Sequence, residues 1–169
     1  MATERIKMIL EIHLASTLPL YKVLNSITDE QLNWKPASES RSIKEITLHL
    51  IRVDNYFLKR LGREIEVKVN NNLSFPELLN ELKKIHQQIV KTVSNCKNDA
   101  ELFNQSAIAD STNSDTINNH ILHSSQHNLY HLSQMIYLRR ALDRQWESPV
   151  KEWDKATRII ADYLAPKRD

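Results

Sequence analysis

Residues 42–62 read SIKEITLHLIRVDNYFLKRLG, and they decide the fold class. Ser42 and Glu45 form the S-x-x-E capping box, in which each side chain satisfies a backbone N–H that the first helical turn leaves unpaired. Ile43, Ile46, Leu50, Val53, Phe57 and Leu61 then recur at the three- and four-residue intervals of an amphipathic helix. Gly62 follows the last apolar position, where a C′ residue turns the chain at positive φ. It is the only glycine in 169 residues. Tight hairpins draw on glycine for the same backbone freedom, so a chain with one glycine is predicted to be all-α.

Outward from this helix the same signals repeat. Ser74 and Glu77 make a second capping box, with Pro76 in the first turn where its missing N–H does no harm. Leu78, Leu82, Ile85, Ile89 and Val93 mark the buried face that follows. Upstream, Ile6, Ile9, Leu10, His13, Thr17, Leu20 and Leu24 predict a first helix over about 4–26, with Pro19 expected to kink or divide it. TDEQLNWKP (28–36) reads as a short turn opened by Thr28 or Asp29. Residues 63–73 alternate briefly and read as a short extended segment.

A polar connection over about 95–114, with one turn around AELF, precedes a long helix over about 115–142, opened by Ser114 or Asp115 and ~42 Å long. A last helix is expected from Ser148 (N-cap) and Pro149 (N1) to Leu164. The chain thus reads as one domain, 1–169, a four-helix bundle with an additional C-terminal helix. The ~20-residue connection before the long helix is long enough to permit a crossover, so a simple up-down order does not follow.

Composition narrows the function classes. The net charge is +2, from 23 basic and 21 acidic residues mixed along the chain, and no run of one sign suggests a nucleic-acid partner. One cysteine, Cys96, excludes an internal disulfide and fits a reducing, cytoplasmic setting. The first residues, MATERIKMILEIHLASTL, lack the features of a signal peptide. No stretch approaches 18 apolar residues, so no membrane span is expected.

The chemistry-bearing residues are histidines. His123, His127 and His131 lie four apart in the long helix. Residues at that spacing differ by about 40° around the axis and ~6 Å along it, so either pair, 123/127 or 127/131, can aim at one ion. Neither pair carries the glutamate of the HExxH protease motif. Two imidazoles hold a divalent ion poorly and a third ligand is expected. His13, His49 and His86 all sit on apolar helix faces at mid-helix depth, and spacing leaves the choice among them open. The structural alternative is that each is a hydrogen-bonded core residue. His120 and His123 read as solvated or supporting, and Gln134, one turn past His131, as able to orient a ligand imidazole. Asp54 reads as solvated, Trp34 as packing over a helix end, Cys96 as structural, and Arg139–Arg140 as ordinary solvated surface or snorkelling side chains.

W34-K-P-A, S42-I-K-E-I, L48-H49-L and H127-N-L-Y-H131-L-S-Q134, in this order and separation, resemble the DinB/YfiT-like superfamily over about residues 5–142. The resemblance implies a four-helix bundle, a homodimer, and a divalent metal, commonly zinc or nickel, held by His49, His127 and His131. Serine at 133 departs from the family's H-x-G-Q. The resemblance further implies a small-molecule substrate and a low-molecular-weight thiol as co-substrate, in an S-transferase acting on electrophiles. A metal-dependent hydrolase and a non-catalytic, stress-associated metal-binding dimer are the alternatives.

Overall fold

The computed structural model describes residues 3–63, 65–108 and 110–165. Seven helices and no strand occur among them: α1 Glu4–Leu24, α2 Asp29–Asn33, α3 Ile43–Arg60, α4 Phe75–Ser94, α5 Asp99–Phe103, α6 Ile117–Leu142 and α7 Val150–Leu164. None is long and apolar enough to cross a membrane.

Local rules set the helix ends. At α3, the Glu45 N–H donates to Ser42 Oγ (3.2 Å) and the Ser42 N–H to Glu45 Oε2 (2.9 Å). At the other end Gly62 adopts φ +66°. Its N–H reaches the Lys59 carbonyl and that of Arg63 the Leu58 carbonyl, the double bond of a Schellman turn. At α4, the Glu77 carboxylate accepts from both the N–H and the hydroxyl of Ser74. Three boundaries differ from expectation. Pro19 leaves α1 unbroken, and α6 is capped by Thr116, whose hydroxyl accepts from the Asn119 N–H. The N-cap of α7 is Pro149, one residue later than expected. The turn at 28–36 contains a one-turn helix, α2, with its own Thr28–Gln31 capping box.

The four long helices form a closed ring: α1 packs on α4 and α6, and α3 packs on α4 and α6. Direction follows from side-chain pairs. His49 of α3 meets His127 of α6, whereas Arg60 meets Asp115 just before α6, so these helices are antiparallel. Arg139, near the end of α6, bonds carbonyls at the end of α1, so those two run parallel. The ends of α3 and α4 lie together around one cavity lined by Leu61, Gly62, Thr92 and Asn95, so they too are parallel. The order is up, down, down, up.

This topology explains the connections. Parallel neighbours need a return path along the bundle, and residues 61–74 supply it. Ile65, Val67 and Val69 turn inward, and Glu81 accepts the Lys68 N–H. The full-length crossover therefore lies here, and the longer segment before α6 instead bridges one end of the ring through α5. At the opposite end α2 bridges α1 to α3. Helix α7 lies against α1 and α6, with Trp153 Nε1–H donating to the Leu129 carbonyl (3.3 Å).

Two residues read as surface are core. Arg139 is 4% exposed. Its guanidinium satisfies the carbonyls of Val23 and Asn25, which the end of α1 leaves open, and lies 4.3 Å over the Trp146 ring. Asp54 is 1% exposed. Because α3 touches two helices, positions flanking its main stripe are also buried. The Ser124 hydroxyl donates to Asp54 Oδ1 (2.5 Å), whereas Oδ2 has no hydrogen-bond partner and stands 3.4 Å from a ring nitrogen of His86.

Candidate metal centre

Helices α3 and α6 bring three imidazoles to one point. His49 Nε2 lies 3.1 Å from His127 Nε2, which lies 3.1 Å from His131 Nε2. The ring centroids are 4.5–5.0 Å apart. Metal–nitrogen bonds of ~2.0–2.1 Å at tetrahedral angles place donor atoms ~3.3 Å apart, so the spacing suits one shared ion. The i, i+4 interval on α6 supplies two donors, and the antiparallel approach of α3 supplies the third.

Hydrogen bonding orients the group. His131 Nδ1–H donates to Gln134 Oε1 (2.7 Å), and Gln134 Nε2 donates to Tyr130 Oη (3.1 Å). A proton held at Nδ1 leaves His131 Nε2 as a bare lone pair facing His127. One N–H on His127 Nε2 can serve only one of its two neighbours, so three converging nitrogens are under-satisfied unless a cation lies among them.

Electrostatics agrees. Burial lowers the pKa of His127 to about 4, with the neighbouring His131 and His49 adding to the effect. His49 is lowered by burial, then by the charges of Arg41, His131 and Arg52. Burial also lowers His131, against the raising effect of Gln134. All three are neutral at pH 7, the state that can donate a lone pair to a metal. No other cluster of three such donors occurs among the described residues.

The other histidines go elsewhere. His123 is exposed, its ring 5.0 Å from that of Phe57. His120, read as solvated or supporting, is buried, and its Nε2 lies 3.0 Å from Asp115 Oδ1. His13 and His86 face each other edge to face across α1 and α4, at 5.5 Å. Burial lowers His13 to about 3, and neither of its ring nitrogens has a partner. Tyr21 meets His86 Nδ1 at 2.7 Å, and burial followed by the Asp54 charge raises its phenol. Cys96 is buried, and burial pushes its thiol up, which leaves it structural. Trp34 packs on the core beside α2.

Beside the imidazoles opens a cavity of about 730 Å³ that His49 and His131 line with Arg41, Tyr130, Gln134 and Tyr137. Among the described residues no aspartate or glutamate lines it. Sequence reasoning missed Arg41 and the two tyrosines. Tyr130 carried a signal, one residue before His131 and one turn before Gln134. Arg41, in a loop ahead of an N-cap, carried none.

A family model described as the DinB superfamily matches residues 15–135, from the middle of α1 to Met135 of α6, and so includes all three converging histidines. No curated protein and no solved structure matches the chain.

Proposed function

The chain belongs to the DinB superfamily, and on that basis we propose that it is a divalent-metal-dependent enzyme whose ion is held by His49, His127 and His131. The observation that carries this reading is the meeting of three neutral imidazole nitrogens beside a cavity open to a small molecule. Three protein ligands leave a coordination position vacant, the mark of a catalytic rather than a structural site. A divalent ion there supplies Lewis acidity that favours the deprotonated form of a thiol or water entering that position.

Within this class we favour transfer of a low-molecular-weight thiol to an electrophile over hydrolysis. A thiol has a pKa near 8.5 and needs to lose one proton only. Hydrolysis of an ester or amide also asks for a group that protonates the leaving atom; among the described residues no carboxylate lines this cavity, and Glu45 of the adjoining one is engaged by Lys35 and the Ser42 N–H. Gln134 holds the His131 ring, Tyr130 and Tyr137 wall the cavity, and Ile46 and Leu138 add apolar lining. Zinc and nickel both suit nitrogen donors. The reading takes a homodimer as the working form.

Elemental analysis of untagged protein, followed by a thiol-conjugation screen with chlorodinitrobenzene, tests the proposal. About one zinc or nickel per chain and thiol-dependent loss of the electrophile are expected. Metal content below ~0.1 per chain in chelator-free buffer would overturn it, because preorganised imidazoles should bind tightly.

A further inference from the structure

Among the described residues one charged side chain lines the cavity beside the three imidazoles, and it also borders an adjoining cavity with Lys35, Glu39, Glu45 and Arg52: Arg41. Its position is set by the start of α3, since Arg41 directly precedes the N-cap Ser42. The nearest candidate for an ion pair is Glu45, which is already engaged. Its Oε1 takes Lys35 Nζ at 2.6 Å and its Oε2 the Ser42 N–H at 2.9 Å. Among the described residues no carboxylate lies within salt-bridge distance of Arg41, and its side chain is exposed.

A guanidinium that faces a cavity without a protein partner is a receptor for an anion, and its planar fork matches a carboxylate through two parallel N–H···O bonds. Across the cavity stand Tyr130 and Tyr137, two turns apart on α6 and 60% and 68% exposed. They offer flat, amphipathic walls to an apolar or unsaturated body. We propose that Arg41 is the specificity residue of this cavity and that it binds the carboxylate of a small acid whose reacting atom lies at the three histidines.

Arg41 lies two residues before α3 begins at Ile43, and His49 lies six positions into the helix, about 9 Å along its axis. The reach of the arginine side chain takes up part of that span. What is left suits a short acid, with a few carbons between carboxylate and reacting atom. This specificity rests on the metal-centre reading for the role of the reacting atom, but recognition of the carboxylate needs only Arg41.

The test compares glutarate with its uncharged isostere glutaramide by titration calorimetry, on zinc-loaded and on chelator-treated protein. Wild type is expected to prefer glutarate about tenfold, the scale of one charge-assisted hydrogen-bond pair. Arg41→Gln should bring the preference to within about twofold, and Arg41→Lys should retain part of it. Lys91→Gln, which removes the same charge from the exposed face of α4, should behave as wild type. Equal binding of both probes by wild type, or an undiminished preference in Arg41→Gln, overturns the proposal. Metal content is measured in parallel. Its absence defeats the metal-centre reading, whereas an Arg41-dependent preference in chelator-treated protein supports the carboxylate assignment without it.

Discussion

Gln134 Oε1 accepts the Nδ1 proton of His131 at 2.7 Å, and this contact turns the opposite nitrogen of the ring toward His127. Removing such an outer partner frees the imidazole to rotate or change tautomer and costs about 10–100-fold in metal affinity. Gln134→Leu is therefore expected to weaken zinc binding on that scale in a competition titration, with little change in the melting temperature of metal-free protein. Gln134→Glu, which still accepts from Nδ1–H, should keep most of the affinity.

An ion bound only by the folded chain stabilises it by mass action, about 2.7 kcal/mol when free metal is 100 times Kd. At about 2–4 °C per kcal/mol for a chain of this size, chelation should lower the wild-type Tm by about 5–10 °C. His127→Ala is expected to melt at the same temperature with and without chelator. A chelator-sensitive Tm in that variant would place the ion elsewhere.

His13 gives the metal-free protein an acid-sensitive core. Its folded-state pKa is lowered from 6.5 to about 3, so below pH 6.5 the unfolded chain takes up a proton that the folded chain refuses. Stability is then full above pH 6.5 and is lost as pH falls toward 3. Between pH 6.5 and 5 this one group accounts for at most about 2 kcal/mol. Urea titrations in chelator should show that loss in wild type and a shallower one in His13→Leu. The leucine variant should also lose no stability at pH 7.5, because neither ring nitrogen has a partner to forfeit.

Asp54 and Ser124 are expected to be sensitive polar positions of the core. Asp54→Ala strands the Ser124 hydroxyl, and Ser124→Ala removes the donor to Asp54 Oδ1. Each leaves a buried polar group unpaired and should cost about 1–3 kcal/mol. Urea midpoints of metal-free protein measure both. Metal bound per folded chain should be unchanged, since neither side chain is among the three converging donors.

The legible parts of this chain are those governed by neighbours in sequence. The capping boxes at Ser42 and Ser74, the Gly62 turn and the pairing of His127 with His131 all depend on residues within one or two turns. The third imidazole did not yield to spacing, because His13, His49 and His86 occupy similar depths on three helices. Ring order does not separate His13 from His49, since α1 and α3 both pack on α6; the facing does, because His49 turns to His127 whereas His13 turns to His86 across α1 and α4. Resemblance named His49, and the geometry brings it to the pair. Asp54 and Arg139 were misread for a related reason. A helix with two partners buries more than one stripe, and a charged side chain can be drawn inward by groups far along the chain, as Arg139 is by Val23.

The ring order also governs how the molecule is assembled. Helix α1 rests on α4, α6 and α7, and two of these are the last long helices to be synthesised. While the nascent chain emerges from the ribosome, Ile6, Ile9, Ile12 and Leu20 await much of their eventual cover. The bundle shuts only when its final third docks against its beginning, so any fragment ending before α6 lacks a wall and leaves that greasy stripe open to aggregation or chaperone capture.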